Sequence, residues 1–277
     1  MYLTHFGLAE MPFGITPDTS FTFAGQSHQE ALNTLLLALD SGEGFVKITG
    51  EVGTGKTLLC RRLLQALDDG WVTAYLPNPE LDSRTLFAAL AEELGISDQA
   101  RFDSYHLLRE INQALLAFAR DGKRVAVLID EVQAMPLETL EALRLISNLE
   151  TEKRKLLQIV LFGQPELDEK LRRPAIRQLL QRIAFHYRLA GIGRNEIDRY
   201  VAHRLRVAGH RGDSLFSENA LKALYRASGG VPRLVNILAH KALLAAYGEG
   251  RGAVRVRHVR LAGNDTEGAR RIGWLWG

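Results

Sequence analysis

Residues 50–57 read GEVGTGKT, and this stretch decides how the rest of the sequence is interpreted. Its three glycines are followed at once by Lys56 and Thr57. Glycine lets the backbone take tight, left-handed turns, so successive peptide N–H groups can point into one concave loop. Such a loop, placed directly before an ammonium and a hydroxyl group, is suited to binding a chain of phosphates.

The flanking sequence gives this loop the context that a phosphate-binding motif requires. The apolar run GFVKITG (44–50) predicts a strand before it, and KTLLCRRLLQAL after it has helical spacing. Lys56 is expected to contact the outer phosphates, and the Thr57 hydroxyl to ligate Mg²⁺. The residues predicted to bind the nucleotide are Gly50, Glu51, Val52, Gly53, Thr54, Gly55, Lys56, Thr57 and Leu58.

A second apolar run, VAVLIDE (125–131), ends in two acids. Ligands of α/β proteins bind at the carboxyl ends of the strands, so both carboxylates are expected to face such a crevice. We predict that Asp130 belongs to the magnesium shell and that Glu131 is the general base that polarises the attacking water. Gln164, which follows the run IVLFG (159–163), is predicted to hydrogen-bond that water or the terminal phosphate; the alternative is a turn glutamine.

Composition limits the remaining possibilities. The chain has 277 residues, 46% of them hydrophobic, with a net charge of +3 and a pI near 9.0, which is too mild a basic bias for a nucleic-acid footprint. Cys60 is the only cysteine, so a reducing compartment is expected and the thiol is interpreted as a small buried group. The sequence lacks the pattern of a signal peptide and has no apolar stretch of membrane-spanning length, which predicts a cytoplasmic protein.

Strand and helix patterns alternate as far as Gly191 and are helical afterwards. Apolar strands between helices predict a parallel sheet that is covered on both faces. The fold class is therefore α/β, with a smaller helical domain after the boundary. The predicted divisions are an N-terminal segment and helix (1–43), an α/β nucleotide-binding domain (44–191), a helical lid (192–265) and a basic, aromatic tail (266–277).

Two arginine-containing segments each allow a functional and a plain interpretation. In GGVPRLVN (229–236), Arg233 lies in the first turn of a helix, from which it could reach the nucleotide; alternatively, it is a solvated arginine. The segment 172–189 carries several arginines, one of which could act from a neighbouring subunit on the transferred phosphate. Most of them are equally well explained as a solvated basic face.

These motifs, in this order, resemble those of AAA+ ATPases. The segments GEGFVKITGEVGTGKTLLCR, LIDEVQAMPLETLEALRLISNLET and QIVLFGQPEL resemble the ATPase domain of the general secretion pathway protein A (ExeA/GspA) group, which includes the MSHA pilus biogenesis protein MshM. The resemblance covers roughly residues 1–265. It implies five strands in the AAA+ order with a helical lid, and ATP bound at a subunit interface of a homo-oligomer. It also implies that Arg182, or as second choice Arg177, is the arginine finger, with Gln164 as sensor 1 and Arg233 as sensor 2.

The resemblance implies an ATPase that assists assembly of an envelope machine, either an MSHA-like type IV pilus or a type II secretion system. The expected partners are the assembly proteins at the inner membrane. Secretion members continue into a membrane span where this sequence ends, so a short, pilus-type member is expected, with the tail around Trp274 and Trp276 touching the membrane or packing on its own domain. The alternative function is a DNA-directed AAA+ switch, such as a transposition target-selection ATPase, although nucleic acid is not the expected partner. A third hypothesis is a nucleotide-binding scaffold that barely hydrolyses.

Overall fold

A parallel five-stranded sheet forms the α/β part of the chain. The computed structural model describes residues 2–16, 18–77, 80–96, 103–150 and 155–271, so the predicted tail tryptophans lie outside the described residues. The strands are β1 (Phe45–Thr49), β2 (Trp71–Leu76), β3 (Arg124–Ile129), β4 (Gln158–Gly163) and β5 (Ile183–Arg188). Their order is β2-β3-β4-β1-β5, and every neighbouring pair is parallel, which confirms the predicted sheet.

Helices follow or precede each strand. Their bounds are α1 (Tyr2–His5), α2 (Gln26–Asp40), α3 (Lys56–Ala66), α4 (Ser83–Glu93), α5 (Ser104–Arg120), α6 (Leu137–Ile146), α7 (Glu166–Leu171), α8 (Arg177–Leu180), α9 (Ile197–Val207), α10 (Glu218–Ser228), α11 (Pro232–Gly248) and α12 (Val256–Asn264). Short 3₁₀ turns occupy Thr19–Phe21, Val132–Ala134 and Pro174–Ile176.

The sheet is buried on both faces at its centre. Along β3, Val127 and Ile129 join one apolar cluster, whereas Ala126 and Leu128 join another on the opposite face. This two-sided burial explains why the central strands read as continuous apolar runs. The edge strand β5 instead alternates between partly buried and exposed residues, so one of its faces is better covered than the other.

The chain divides into two compact units. One unit, called here the sheet unit, comprises Glu30–Glu51 and Leu59–Leu189. The other, called the lid unit, comprises Met1–Gln29, Val52–Leu58 and Ala190–Gly277. The glycine loop thus clusters with the N-terminal segment and the C-terminal helices, while the acids after β3 belong to the sheet unit. The domain boundaries proposed from the sequence stay a prediction.

The lid unit has a core of its own. Phe6, Phe13 and Phe21 of the N-terminal segment are buried in one cluster with the apolar faces of α9 to α12. Arg204 of α9 reinforces this packing, since its Nε donates to the carbonyl of Pro12 at 2.6 Å. The N-terminal segment is therefore an integral layer of this unit.

Candidate functional site

The glycine loop begins where β1 ends. The N–H of Gly50 donates to the carbonyl of Gly163 at 3.2 Å, which ties the start of the loop to the end of the neighbouring strand β4 in the sheet unit. Glu51 is exposed and lies 3.8 Å from the Arg188 guanidinium of β5. These two positions are the part of the predicted loop that belongs to the sheet.

The remainder of the loop belongs to the lid unit and has left-handed backbone at two glycines. Gly53 has a φ of +79° and Gly55 a φ of +96°. Thr54 and Lys56 are buried, with 2% and 5% of their surface exposed, whereas Val52 is 53% exposed. Thr57 and Leu58 are intermediate in burial within the first turn of α3. An L side chain is strained at such positive φ values, so the loop depends on glycine at both places.

Neighbouring segments of the lid unit press against the same two glycines. The carbonyl of Gly53 accepts a hydrogen bond from the backbone N–H of Arg233 at 3.2 Å. A Cβ atom added at Gly53 would lie 2.5 Å from the Cβ of Arg233, and one added at Gly55 would lie 2.7 Å from Nε2 of His28. The first turn of α11 and the start of α2 therefore frame the loop, and Arg233 is brought directly to it.

An apolar pocket lies beside the loop within the lid unit. Its lining includes Phe21, His28, Leu58, Tyr200 and Pro232, together with the backbone at Thr54 and Gly55. Aromatic and aliphatic walls with a few polar groups are typical of pockets that bind planar ligands. Because the pocket adjoins a phosphate-binding motif, its chemistry fits the base of a nucleotide.

The acids after β3 occupy distinct environments in the sheet unit. Asp130 is only 2% exposed, and its Oδ1 accepts the N–H of Glu131 at 2.9 Å. Glu131 is half-buried, with φ 52° and ψ 37°. Among the described residues it is the single non-glycine residue with positive φ. A non-glycine residue in this conformation costs roughly 1–2 kcal/mol, a strain that is most often found at functional sites.

Gln164 and Glu131 are brought together at the carboxyl ends of neighbouring strands. The side-chain Nε2 of Gln164 donates to Oε2 of Glu131 at 3.0 Å. β3 and β4 are adjacent and parallel, so both residues emerge at the same edge of the sheet. This pairing joins a carboxylate to an amide donor.

The candidate finger residues differ in their surroundings. Arg182 is partly buried just before β5, and its NH1 donates to Oγ of Ser147 at 2.9 Å. Arg177, at the start of α8, is exposed. The predicted position of Arg182 before the last strand is observed, while the role of either arginine is a matter for the proposal below.

The donors present fit a hard divalent cation. Each is considered within its own unit: Asp130 supplies a buried carboxylate in the sheet unit, and Thr57 a hydroxyl in the lid unit. Oxygen atoms of both kinds are preferred by Mg²⁺. Among the described residues, no group of three or more His, Cys, Asp or Glu side chains converges as a metal site. Mg²⁺ at nucleotide sites is ordinarily held by one or two protein oxygens together with the phosphates.

Three residues near these groups were not predicted from the sequence. Gln133 and Lys170 contact the segment that carries Glu131, and His28 contacts the glycine loop. None of them belongs to a motif of fixed spacing. Lys170 and His28 lie far along the chain from the groups that they contact, and Gln133 lies outside any recognised pattern. Cys60, by contrast, is fully buried as expected, and burial raises the pKa of its thiol well above the ordinary value.

The strand order, the glycine loop and the acids after β3 define the P-loop AAA fold. A family model described as an AAA domain matches residues 39–171. Among solved structures, Cdc6p from Pyrobaculum aerophilum has a TM-score of 0.67 at 18% identity, covering 90% of this chain and 70% of that one. The ORC2 protein of Aeropyrum pernix, in ADPNP-ADP complexes, has a TM-score of 0.66 at 18% identity, covering 92% and 73%. At this level of identity, both likenesses show the fold alone.

A sequence relative is more specific. The chain is 43% identical over 270 residues to general secretion pathway protein A of Aeromonas hydrophila. The match covers 98% of this chain and 49% of that protein, so the chain spans about half the length of this curated relative. The chain therefore carries an AAA domain and is similar over nearly its whole length to a GspA protein. In the described part of the chain, no helix is both long enough and apolar enough to cross a membrane.

Proposed function

We propose that this chain is an Mg²⁺-dependent ATPase of the GspA-like group. The observation that carries the proposal is the Glu131–Gln164 pair, which sets a carboxylate base and an amide donor 3.0 Å apart at the carboxyl ends of adjacent strands. The strained backbone at Glu131 supports the same conclusion, because such strain is retained where the surroundings hold a side chain in one orientation.

In the proposed reaction, the glycine loop holds the phosphates through its N–H groups and Lys56 neutralises the outermost one. The Glu131 carboxylate takes a proton from water as the water oxygen bonds to the terminal phosphorus. The bond between that phosphorus and the bridging oxygen breaks, which leaves ADP and phosphate. Gln164 orients the water or the terminal phosphate through its side-chain amide.

Asp130 and Thr57 are the proposed ligands of Mg²⁺, which neutralises phosphate charge when it is bound. Arg233, at the first turn of α11, is proposed to contact the phosphates and to report nucleotide state to the helical lid. Its backbone bond to Gly53 supports this role, because any movement of α11 is then felt at the loop.

Turnover and nucleotide binding of two variants test the hydrolytic proposal. Glu131→Gln should bind ATP with parental affinity and hydrolyse it at least about 100-fold more slowly, because a general base contributes 10²–10⁴-fold. Lys56→Ala should lose ATP binding itself, since a charge-assisted contact to phosphate is removed. Equal turnover in the parent and both variants would contradict the proposal and favour a scaffold that barely hydrolyses.

We further propose a homo-oligomer in which Arg182 acts on the ATP of the adjacent subunit. A mixing experiment tests this arrangement. Arg182→Ala retains its glycine loop and Lys56→Ala retains its arginine, so each inactive variant supplies what the other lacks. Mixing them should restore part of the turnover, whereas Arg177→Ala mixed with Lys56→Ala serves as the comparison for the second-choice finger. No recovery with either arginine variant would count against a finger acting between subunits.

The proposed cellular role is assembly of an envelope machine, an MSHA-like type IV pilus or a type II secretion system. The support is the identity to general secretion pathway protein A over nearly the whole chain. The protein would then act in the cytoplasm, peripheral to the inner membrane, with residues 44–191 as the nucleotide-binding domain and 192–265 as the lid. Glu131→Gln trapped on ATP should retain pilus or secretion components in a pull-down from cells. Retention of DNA instead, with steep salt dependence, would favour the DNA-directed alternative.

A further inference from the structure

Gln133 lies at the centre of the hydrogen bonds around Glu131, although it belongs to no recognised motif. It sits in the 3₁₀ turn Val132–Ala134, two residues after Glu131. Its side-chain Nε2 donates to Oε2 of Glu131 in a short hydrogen bond. Its side-chain Oε1 accepts the backbone N–H of Gln164 at 3.0 Å. One amide group therefore joins the residue after β3 to the residue after β4.

The chemistry of these partners fixes the orientation of the Gln133 amide. A carboxylate only accepts hydrogen bonds and a peptide N–H only donates, so the NH₂ group must face Glu131 and the oxygen must face Gln164. Glutamate in this place would offer no donor to Glu131, and methionine would offer neither group. The position thus uses both halves of a glutamine side chain.

A lysine anchors the backbone of the same turn. Nζ of Lys170, on α7, donates to the carbonyl of Gln133 at 2.8 Å and also to that of Met135. Partial burial, and then the nearby charge of Arg173, lower the pKa of Lys170. A cation placed against two carbonyls restrains the turn.

Gly163, the last residue of β4, lies close to both Leu167 and Gln133. A Cβ atom added to Gly163 would lie 2.6 Å from Cδ2 of Leu167 and 3.4 Å from Oε1 of Gln133. Leu167 is itself fully buried. Oε1 of Gln133 therefore lies close to Gly163, at the end of β4.

We propose that Gln133 is the positioning residue for hydrolysis: it fixes the orientation of the Glu131 carboxylate and links it to the backbone of Gln164. Displacement of Gln164 by the terminal phosphate would then reorient the base through one amide group. The inference rests on the proposed role of Glu131 as general base. Gln133 itself touches neither water nor nucleotide in this scheme.

Two substitutions at Gln133 separate positioning from packing. Gln133→Met keeps approximately the same volume without hydrogen bonds, so kcat should fall by about 10- to 100-fold, since a small misplacement of a catalytic group costs that much. ATP affinity and KM should remain within about twofold, because the interaction acts in the transition state. Gln133→Glu places a second carboxylate beside Glu131, so the acidic limb of the pH–rate profile should move to higher pH.

The exposed Gln113 of α5 provides matched controls. Gln113→Met and Gln113→Glu should leave kcat and the pH profile unchanged. The positioning role is overturned if Gln133→Met hydrolyses ATP like the parent while Glu131→Gln does not. It is equally overturned if kcat and ATP affinity fall in parallel, which indicates a structural role. If Glu131→Gln hydrolyses ATP like the parent, the proposed role of Glu131 as base is refuted, and this inference fails with it. That result differs from failure of the Gln133 role alone, in which Glu131→Gln is still impaired.

Discussion

In the glycine loop, backbone groups are held by other backbone groups, whereas at the ends of β3 and β4 side chains hold one another. Gly53 accepts from the N–H of Arg233 and leaves no space for a Cβ atom. Glu131 instead receives the side-chain amides of Gln133 and Gln164.

The two constructions should respond differently to mutation. At a site made of backbone groups, one added methyl group shifts the loop itself. The N–H groups that are proposed to bind the phosphates then move with it. A side-chain site loses one hydrogen bond at a time, and each loss costs about 0.5–1.5 kcal/mol or more if a charged group is involved. We therefore expect a single substitution in the glycine loop to cause a large loss of ATP affinity. Single substitutions at the ends of β3 and β4 should lower activity in smaller steps.

Among the substitutions that test this contrast, Gly53→Ala is expected to have the largest effect. The alanine backbone would be held at a strained φ of +79°. Its Cβ would lie 2.5 Å from the Cβ of Arg233, so the loop must shift. We expect ATP affinity to fall about 100-fold, equivalent to roughly 2.7 kcal/mol. Fluorescent-nucleotide titration measures this loss. Gly252→Ala is the matched control, because a Cβ there meets nothing within 4 Å. Parental affinity in Gly53→Ala would remove the contrast between the two regions.

The same contrast explains what the sequence reveals. The loop could be predicted from the fixed spacing of Gly50, Gly55, Lys56 and Thr57, and the positive φ of Gly53 and Gly55 gives a steric reason for glycine at those two positions. Its binding role stays a prediction. The central strands were predicted well because burial on both faces makes them apolar throughout. Asp130, Glu131 and Gln164 were predicted as site residues because they come just after the ends of such strands, and their roles stay predictions.

The parts that were missed depend on contacts between distant segments. Lys170 reaches the turn after Glu131 from another helix, and no spacing connects the two. Ser27, a residue type that often caps helices, lies inside α2, which begins at Gln26, and its hydroxyl accepts the N–H of Ala190 at 2.9 Å. A hydroxyl can satisfy either partner, and the sequence around residue 27 does not show that residue 190 is nearby.

Arg233→Ala should have a smaller effect than Gly53→Ala. The substitution removes the guanidinium but keeps the backbone N–H that donates to Gly53, so the shape of the loop is retained. We expect ATP affinity to fall about tenfold, the cost of a lost charge-assisted contact. Arg233→Lys should recover part of that loss. A loss as large as that of Gly53→Ala would mean that side chains matter as much as backbone at the loop.

Lys170→Met tests the gradual response of the strand ends. Two carbonyls, of Gln133 and Met135, lose their common donor. The free energy of unfolding should fall by about 1–2 kcal/mol, and kcat by about threefold to tenfold as Glu131 becomes less well held. ATP affinity should not change. Chemical denaturation and steady-state kinetics measure these quantities, with the exposed Lys123→Met as control. An unchanged kcat would show that the turn keeps its position without this anchor.

The smallest effect is expected where a side chain only packs. Cys60 is fully buried in α3, and burial raises the pKa of its thiol, so the unfolded chain ionises at a lower pH than the folded one. The stability that the thiol contributes is therefore complete below pH about 8.5 and is lost as the pH rises above it.

Cys60→Ala removes both the packing and this pH dependence. At pH 7 it should lower the free energy of unfolding by about 1 kcal/mol without changing kcat or ATP affinity. By pH 9.5 the parent should have lost roughly 1.4 kcal/mol relative to the variant, so the difference between them should vanish or reverse. Denaturation curves of both proteins at the two pH values measure it. A constant difference would mean that the thiol ionises equally in both states, and Cys60 would then have to be accessible to solvent in the folded chain.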